Sequence, residues 1–332
     1  MVKAAAYYKG KTVLITGATG FIGSSLINAL RQVDCTLICC NRNAKSPETG
    51  NSAKAHIVNL QMDIRNPSFW DDVLQGVDVI FHFAAQTSAR FANEQPIADM
   101  DINVTPVVRF VETCQQKGIR PDMIFPGTVT QTGLTRDCPV NESVPDIPIT
   151  IYDINKLTAE TYLSYYASQL RGRAVTLRLA NVYGPGPKSS QSDRGILNLM
   201  VMRALAGKAL TVYGDGNYVR DYLFIDDAVK AFLLAGSHLN NTSGRHYVVG
   251  SGVGHTISEM IHKVKDLATK IAGKRVPLEN IAPPSHLSPI EFRHFVADTS
   301  RFRTDSGWTS QVSLEDGITR TIMFFLGRQE NS

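Results

Sequence analysis

Lys11-Thr-Val-Leu-Ile-Thr-Gly17-Ala-Thr-Gly20-Phe-Ile-Gly23 is the stretch that decides the fold. The apolar run Val13–Ile15 enters a turn, and an amphipathic segment from Phe21 to Arg31 leaves it, so the glycines stand between a strand and a helix. Gly17 can take the tight turn, Gly20 lets a phosphate approach the backbone, and Gly23 lets helix and strand pack closely. The first N–H groups of a helix, here around Gly20, Phe21, Ile22 and Gly23, have no intrahelical acceptor and face an incoming pyrophosphate. The spacing is Gly-x-x-Gly-x-x-Gly rather than the Gly-x-Gly-x-x-Gly of many dehydrogenases; its position between strand and helix gives it weight.

Working outward, short apolar strands alternate with helical stretches. The strands are expected at Thr12–Thr16, Thr36–Cys40, His56–Leu60, Val77–Phe83, Asp122–Phe125 and Ala174–Leu179, and the helices around Gly20–Arg31, Phe69–Gln75, Val104–Lys117 and Tyr152–Leu170. Continuous apolar strands joined by helices predict a parallel sheet covered on both faces. The fold class expected is α/β, a Rossmann-type doubly wound sheet over residues 1–180 with a smaller C-terminal substrate-binding lobe over 181–332, some of whose segments return to the sheet. From about Asn181 the texture changes: Tyr183-Gly-Pro-Gly-Pro187, Tyr213-Gly-Asp-Gly216, Gly250-Ser-Gly-Val-Gly254 and Pro283-Pro284 mark long turns among shorter helices.

The 34 basic and 30 acidic residues nearly balance and form no basic run. Nucleic-acid binding is not expected, whereas an anionic small molecule suits the net charge of +4. Cys35, Cys39, Cys40, Cys114 and Cys138 form no Cys-x-x-Cys pair, so reduced thiols are expected and no metal site. No apolar stretch approaches the ~18 residues that span a bilayer, and no secretory signal precedes the first strand. The expectation is a cytoplasmic protein without membrane contact.

Tyr152-Asp-Ile-Asn-Lys156 is the second informative site. Residues four apart share one helix face. A phenol with an ordinary pKa near ~10 is a poor base, and a neighbouring ammonium favours its ionised form, which makes it a proton shuttle. Downstream of a nucleotide-binding turn, this pair reads as catalytic.

On these residues the sequence resembles the extended short-chain dehydrogenase/reductase family, in its nucleotide-sugar epimerase, dehydratase and reductase branch, over nearly the whole chain. Gly17–Gly23 is similar to the family's cofactor turn, and Tyr152 with Lys156 to its catalytic pair. The resemblance implies that Asp63 and Ile64 contact adenine, that Ala84 and Ala85 lie at a strand end beside the cofactor, and that Asn103 takes the place of a family asparagine. Asn181-Val-Tyr-Gly-Pro-Gly186 and Tyr213-Gly-Asp-Gly-Asn-Tyr-Val-Arg220-Asp-Tyr222 resemble segments that hold the sugar nucleotide, with Asn181 and Arg220 as contacts. Arg220 is the expected diphosphate clamp, because guanidinium binds phosphate oxygens bidentately, and Arg293 resembles a second such arginine. Asp226 is read as a helix N-cap.

The family's third catalytic residue is a Ser or Thr; counting back from Gly133 assigns it to Thr128, with Thr132 in the place of the usual tyrosine. Thr128-Val129-Thr130 stands where the related dehydratases carry Thr-Asp-Glu. Neither carboxylate is present, so carboxylate-assisted dehydration or decarboxylation is not expected. For the cofactor, the strand-two acid of NAD-preferring members falls at Asn41, since 41 − 23 = 18 residues past the last glycine, and Arg42 follows it. Losing a carboxylate and gaining a guanidinium suits a 2′-phosphate, so NADP(H) is favoured over NAD(H). The resemblance implies a nucleoside-diphosphate sugar substrate, a homodimer, and oxidoreduction at the sugar C4: a 4-epimerase, or alternatively an NADPH-dependent 4-ketoreductase.

Overall fold

The computed structural model describes residues 2–43, 53–135, 138–187, 195–273, 275–284 and 287–329. Its strands are β1 (Thr12–Thr16), β2 (Thr36–Asn41), β3 (His56–Gln61), β4 (Val79–His82), β5 (Asp122–Thr128), β6 (Ala174–Leu179), β7 (Asn181–Tyr183), β8 (Leu210–Tyr213), β9 (Val219–Phe224), β10 (Arg245–Val249), β11 (Gly254–Thr256) and β12 (Leu278–Ile281). Seven of them form one sheet in the order β10-β6-β5-β4-β1-β2-β3. Every pairing in it is parallel. This is the doubly wound Rossmann-type sheet the strand texture calls for: β4 and β6 are buried along their whole length, which a parallel sheet covered by helices requires.

Alternation along β1 shows how both faces are covered. Val13 and Ile15 pack into one core with Leu26, Ile27 and Phe232, while Leu14 packs into the other with Trp70, Phe110 and Tyr166. The helices Phe21–Leu30 and Ile225–Ser237 therefore cover one face, and Thr105–Lys117 and Ile151–Ser168 the other. Strand order reverses between β1 and β4, so the crevice of a doubly wound sheet opens at their carboxyl ends. There Thr16 pairs in register with both His82 and Cys40.

Beyond position 181 the chain contributes both to this sheet, through β10, and to a smaller assembly. The latter holds a three-stranded sheet β11-β9-β7 and the parallel pair β12-β8. The helices Ile196–Leu205, Ile257–Ala272 and Leu314–Gln329 pack together beside them. Sequence texture reads much of this region as turns, because β7, β11 and β12 are only three or four residues long and flanked by Gly and Pro. It also passes over two short helices between β4 and β5, Ala89–Glu94 and Pro96–Asn103. Elements this short carry too few turns to show a period.

Cys35, Cys39, Cys40 and Cys114 are buried and Cys138 is exposed. Burial pushes the Cys39 and Cys40 thiols up to about 12, so neither is a thiolate at neutral pH. Among the described residues no helix is long and apolar enough to cross a membrane, and no cluster of His, Cys, Asp and Glu suits a metal.

Candidate active site

The glycine turn sits at the carboxyl end of β1 and is pinned from both sides. Gly17 has φ +66°, and a Cβ there would lie 2.7 Å from the backbone nitrogen of Ala84; a Cβ on Gly23 would lie 2.3 Å from the Gly17 carbonyl oxygen. Only glycine fits either position. Thr16 Oγ1 accepts from Ala84 N at 3.1 Å and pairs with His82 Nδ1 at 2.9 Å, tying the ends of β1 and β4 together. Burial holds His82 down to about 3, so the ring is neutral. Asn41 Oδ1, at the end of β2, accepts from Thr19 N at 2.7 Å and Thr19 Oγ1 at 3.0 Å.

The helix that follows, Phe21–Leu30, has no side-chain cap and no acid in its first turn. Its leading N–H groups thus fit a pyrophosphate; a Cβ at Gly20 would meet only the Gly17 carbonyl oxygen, at 3.0 Å, so the outer side of the turn is open to a phosphate. Arg42 is exposed just past β2. Asp63 is forked by Arg65 at 2.6–3.1 Å, the contact that lowers its carboxyl below the ordinary value. Ile64 is buried, and Phe21, Ile22, Ala84 and Ala85 are half-buried along the same edge.

The residues expected to handle protons lie across the crevice. Thr128 ends β5, where its register partner is Leu179, and Tyr152 and Lys156 lie on the first two turns of the helix Ile151–Ser168. Thr150 caps that helix, accepting from Asp153 N at 3.2 Å. Lys156 is buried with its Nζ 3.9 Å from the centre of the Phe125 ring. Burial pulls the ammonium down to about 7, against the opposing pull of Glu160 and Asp99.

Residues that sequence reasoning missed hold these groups in place. Thr128 N donates to Gln131 Oε1 at 2.9 Å, Gln131 Nε2 donates to Glu160 Oε2 at 3.1 Å, and Arg178 clamps Glu160 at 2.6 and 3.0 Å. Asp99, fully buried, accepts from Gln86 at 2.5 Å, Asn103 at 2.9 Å and Asn155 at 2.7 Å. Asn103 is therefore part of a buried polar network beneath Lys156, with its Oδ1 unpartnered. Asp153 follows Tyr152 directly and is also buried. Its carboxylate accepts from Thr150 Oγ1 at 2.6 Å and from Thr130 Oγ1, whose own oxygen lies 2.7 Å from Thr128 Oγ1. Burial raises the Asp153 carboxyl, and these hydrogen bonds together with Arg293 oppose it. Two signals were available: Glu160 lies four residues past Lys156 on the same helix, and Thr128-Val-Thr-Gln131 has the spacing of a capping box.

A second cluster holds Asn181, Arg220, Tyr222 and Arg293. Asn181 and Tyr222 are register partners in β7 and β9. Arg220 and Arg293 are both buried. Arg220 donates to the backbone carbonyls of Val219 at 3.1 Å, Glu291 at 2.7 Å and Arg293. Those contacts take three of a guanidinium's five donors. Arg293 Nη2 reaches Asn181 Oδ1 at 3.4 Å, while Arg293 Nε and the Tyr222 hydroxyl are buried without partners. Burial pulls Arg220 down to about 10, and Arg293 beside it adds to that fall. Two buried guanidiniums face the half-exposed Glu291, 3.8 Å from Arg220, and the Asp153 carboxylate, which is already committed to two threonine hydroxyls, so they call for a further anion.

Asp226 does not cap its helix: Phe224 is the cap residue, and Asp226 lies 3.8 Å from Arg320 at the surface. Its neighbour Asp227 is the buried one, accepting from Ser310, Gln311 and Val312 at 2.9–3.0 Å and fastening the C-terminal segment.

The family model described as the NAD dependent epimerase/dehydratase family matches residues 13–250. A UDP-glucose 4-epimerase of Mycolicibacterium smegmatis is 30% identical over 96% of this chain and 99% of its own length. The structure of a UDP-glucose 4-epimerase from Thermotoga maritima with UDP-glucose superposes with a TM-score of 0.84 at 26% identity, covering 96% of this chain and 99% of that one. That of a UDP-glucose 4-epimerase from Thermus thermophilus in complex with NAD gives 0.79 at 27%, covering 95% and 99%. Matches extend to a UDP-glucuronic acid decarboxylase of Danio rerio, 26% identical over 95% of this chain and 72% of its own length.

Proposed function

The chain belongs to the NAD dependent epimerase/dehydratase family, and from that premise we propose that it is a nucleotide-sugar 4-epimerase acting on a UDP-sugar. The observation that carries the reading is the adjacency of the anion cluster to the catalytic helix: Arg293 bears on the carboxylate of Asp153, the residue next to Tyr152. A diphosphate held by Arg220 and Arg293, with Asn181 beside them, leaves the attached sugar facing Tyr152. Bound at the glycine turn, a nicotinamide supplies reversible hydride transfer. Tyr152 takes the proton of the C4 hydroxyl, Thr128 holds the C4 oxygen, and Lys156 places positive charge on the face of the helix that carries Tyr152. Once the 4-keto sugar has presented its other face, Tyr152 returns the proton. Loss of water or carbon dioxide is not part of this scheme, because positions 129 and 130 carry no carboxylate and that of Asp153 is committed to Thr130 and Thr150. Incubation with UDP-sugars and analysis of the product's mass and stereochemistry test the proposal.

A specific observation favours the 4-ketoreductase as the second reading. Because Thr19 N occupies Asn41 Oδ1, Asn41 can turn only N–H donors toward the adenosine ribose, and donors match a 2′-phosphate. With Arg42 beside it, this supports a preference for NADP(H) over NAD(H). The expected preference is roughly tenfold, the scale of one charge-assisted contact at a partly exposed site, and Arg42→Ala erases it. Titrating both cofactors against wild type and variant checks this; equal or NAD-preferring affinity in the wild type removes the assignment.

The outer face of the helix Ile151–Ser168 exposes Ile154, Tyr162 and Tyr165 at helical spacing, and Ile97 and Met100 are exposed on the helix Pro96–Asn103. An apolar face of this kind supports the homodimer that the resemblance implies.

A further inference from the structure

Three amides from different places in the fold converge on one fully buried acid. Asp99, on the helix Pro96–Asn103, accepts on one oxygen from Gln86 Nε2 at 2.5 Å and Asn103 Nδ2 at 2.9 Å. Its other oxygen accepts from Asn155 Nδ2 at 2.7 Å. Two of the amides are held with their N–H groups turned inward by backbone acceptors. Gln86 Nε2 also donates to the Ser88 carbonyl at 2.8 Å, and Asn103 Nδ2 to the Gln86 carbonyl at 2.9 Å. Three donors on two oxygens suit an ionised carboxylate, which accepts and has no proton to give. These partners are all neutral, and a buried charge without an opposite charge is costly.

The facing cation is Lys156, next in sequence to Asn155 and buried with its Nζ against the Phe125 ring of β5. Few other ionisable groups bear on it. His82 faces it from β4 and is neutral, and Tyr152 shares its helix face. Glu160, on the same helix, pulls on it more strongly than Asp99 does. Arg178 of β6, however, clamps Glu160 at 2.6 and 3.0 Å, and that guanidinium offsets the field of the carboxylate. Among the described residues no guanidinium clamps Asp99 in this way.

We propose that Asp99 is a positioning residue whose carboxylate is the buried counter-charge that keeps Lys156 an ammonium beside Tyr152. The inference rests on the epimerase reading for the task of Lys156, and on the amide cluster for the task of Asp99. Gln86 directly follows Ala84 and Ala85 at the cofactor edge, so the same acid ties that edge to the catalytic helix through Gln86 and Asn155. Without Asp99, a lysine this buried gives up its proton at lower pH. The Tyr152 phenol then loses the positive charge that favours its ionised form.

Protonation of Lys156 is read directly on the full chain, by NMR titration of protein labelled at the lysine ε-carbon. Lys156→Met assigns the signal, and cofactor occupancy is held constant. Asp99→Asn keeps the size of the side chain and removes its charge. The Lys156 midpoint is expected to fall by about one pH unit or more, the scale of one nearby opposite charge. Asn155→Ala loosens the same cluster but keeps both charges, and is expected to leave the midpoint at its wild-type value. Moving the acid across its hydrogen bond, in the double variant Asp99→Asn with Asn155→Asp, is expected to restore it. On a UDP-sugar, the alkaline limb of kcat in Asp99→Asn is expected to move to lower pH with the midpoint, while KM changes less than about twofold. An unchanged midpoint in Asp99→Asn, or an equal fall in Asn155→Ala, overturns the pairing alone. Should Asp99→Asn not fold, the carboxyl 13C signal of Asp99 in the wild type decides: an ionised shift at neutral pH supports the pairing, and a protonated one overturns it. The titration needs no substrate, so a wild type inert on every UDP-sugar instead overturns the epimerase reading and with it the task given to Lys156.

Discussion

Tyr152→Phe is expected to lower kcat by ~10²–10⁴-fold, the contribution general acid–base catalysis makes, while cofactor affinity and the unfolding midpoint stay at wild-type values. In the proposed reaction the phenol is the group that exchanges a proton with the C4 oxygen. Thr128 is bound into the chain that ends on Asp153, and Lys156 is buried beneath with its Nζ against Phe125. Removing one oxygen from Tyr152 leaves the ring and its half-buried packing intact, so the loss falls on the reaction rather than on the fold. Steady-state kinetics on a UDP-sugar with calorimetric titration of the cofactor make the check. A variant retaining more than about a third of wild-type kcat removes Tyr152 from the proton transfer.

The next largest effect belongs to Arg220. Its guanidinium is buried, holds the backbone of Glu291 and Arg293 in place, and keeps two donors outside those contacts. Arg220→Ala therefore deletes one of the two proposed phosphate contacts and removes the hydrogen bonds that hold the segment carrying the other arginine. A charge-assisted hydrogen bond contributes on the order of 1.5–3 kcal/mol, which raises KM for the sugar nucleotide tenfold or more. Cofactor affinity is expected to be unchanged, because Arg220 lies in β9 and the glycine turn follows β1. An unchanged KM would mean that Arg220 serves only its carbonyl partners.

Much of the fold is legible in the sequence because its main sheet is local in character. β1, β2, β4, β5 and β6 carry apolar runs, and Gly17 and Gly23 are imposed by contacts within their own turn and with the segment just past β4. The small lobe is not legible in the same way. Its strands are short, and β7, β9 and β11 find partners through pairings such as Asn181 with Tyr222 and His255 with Arg220, which no periodicity encodes.

The candidate site divides along the same line. Tyr152 and Lys156 stand out as candidates by helical spacing downstream of the glycine turn, and Thr128 by the family resemblance, counted back from Gly133. Asp99, Asp153 and Arg178 do not, since each acts through a partner supplied by a different element. Asp226 illustrates the converse: two adjacent acids at a helix start read as a cap, yet the buried one, Asp227, fastens the C-terminal segment instead.

The most direct measurement of the central claim is the product formed by the purified protein from a panel of UDP-sugars, 4-keto sugars among them, followed by NMR and mass spectrometry with and without NADPH. Epimerisation at C4 gives a new anomeric spectrum at unchanged mass, approached from either isomer, and Tyr152→Phe suppresses it. A product two hydrogens heavier that forms only with NADPH would contradict the epimerase and establish the ketoreductase. A product lighter by water or carbon dioxide would contradict both.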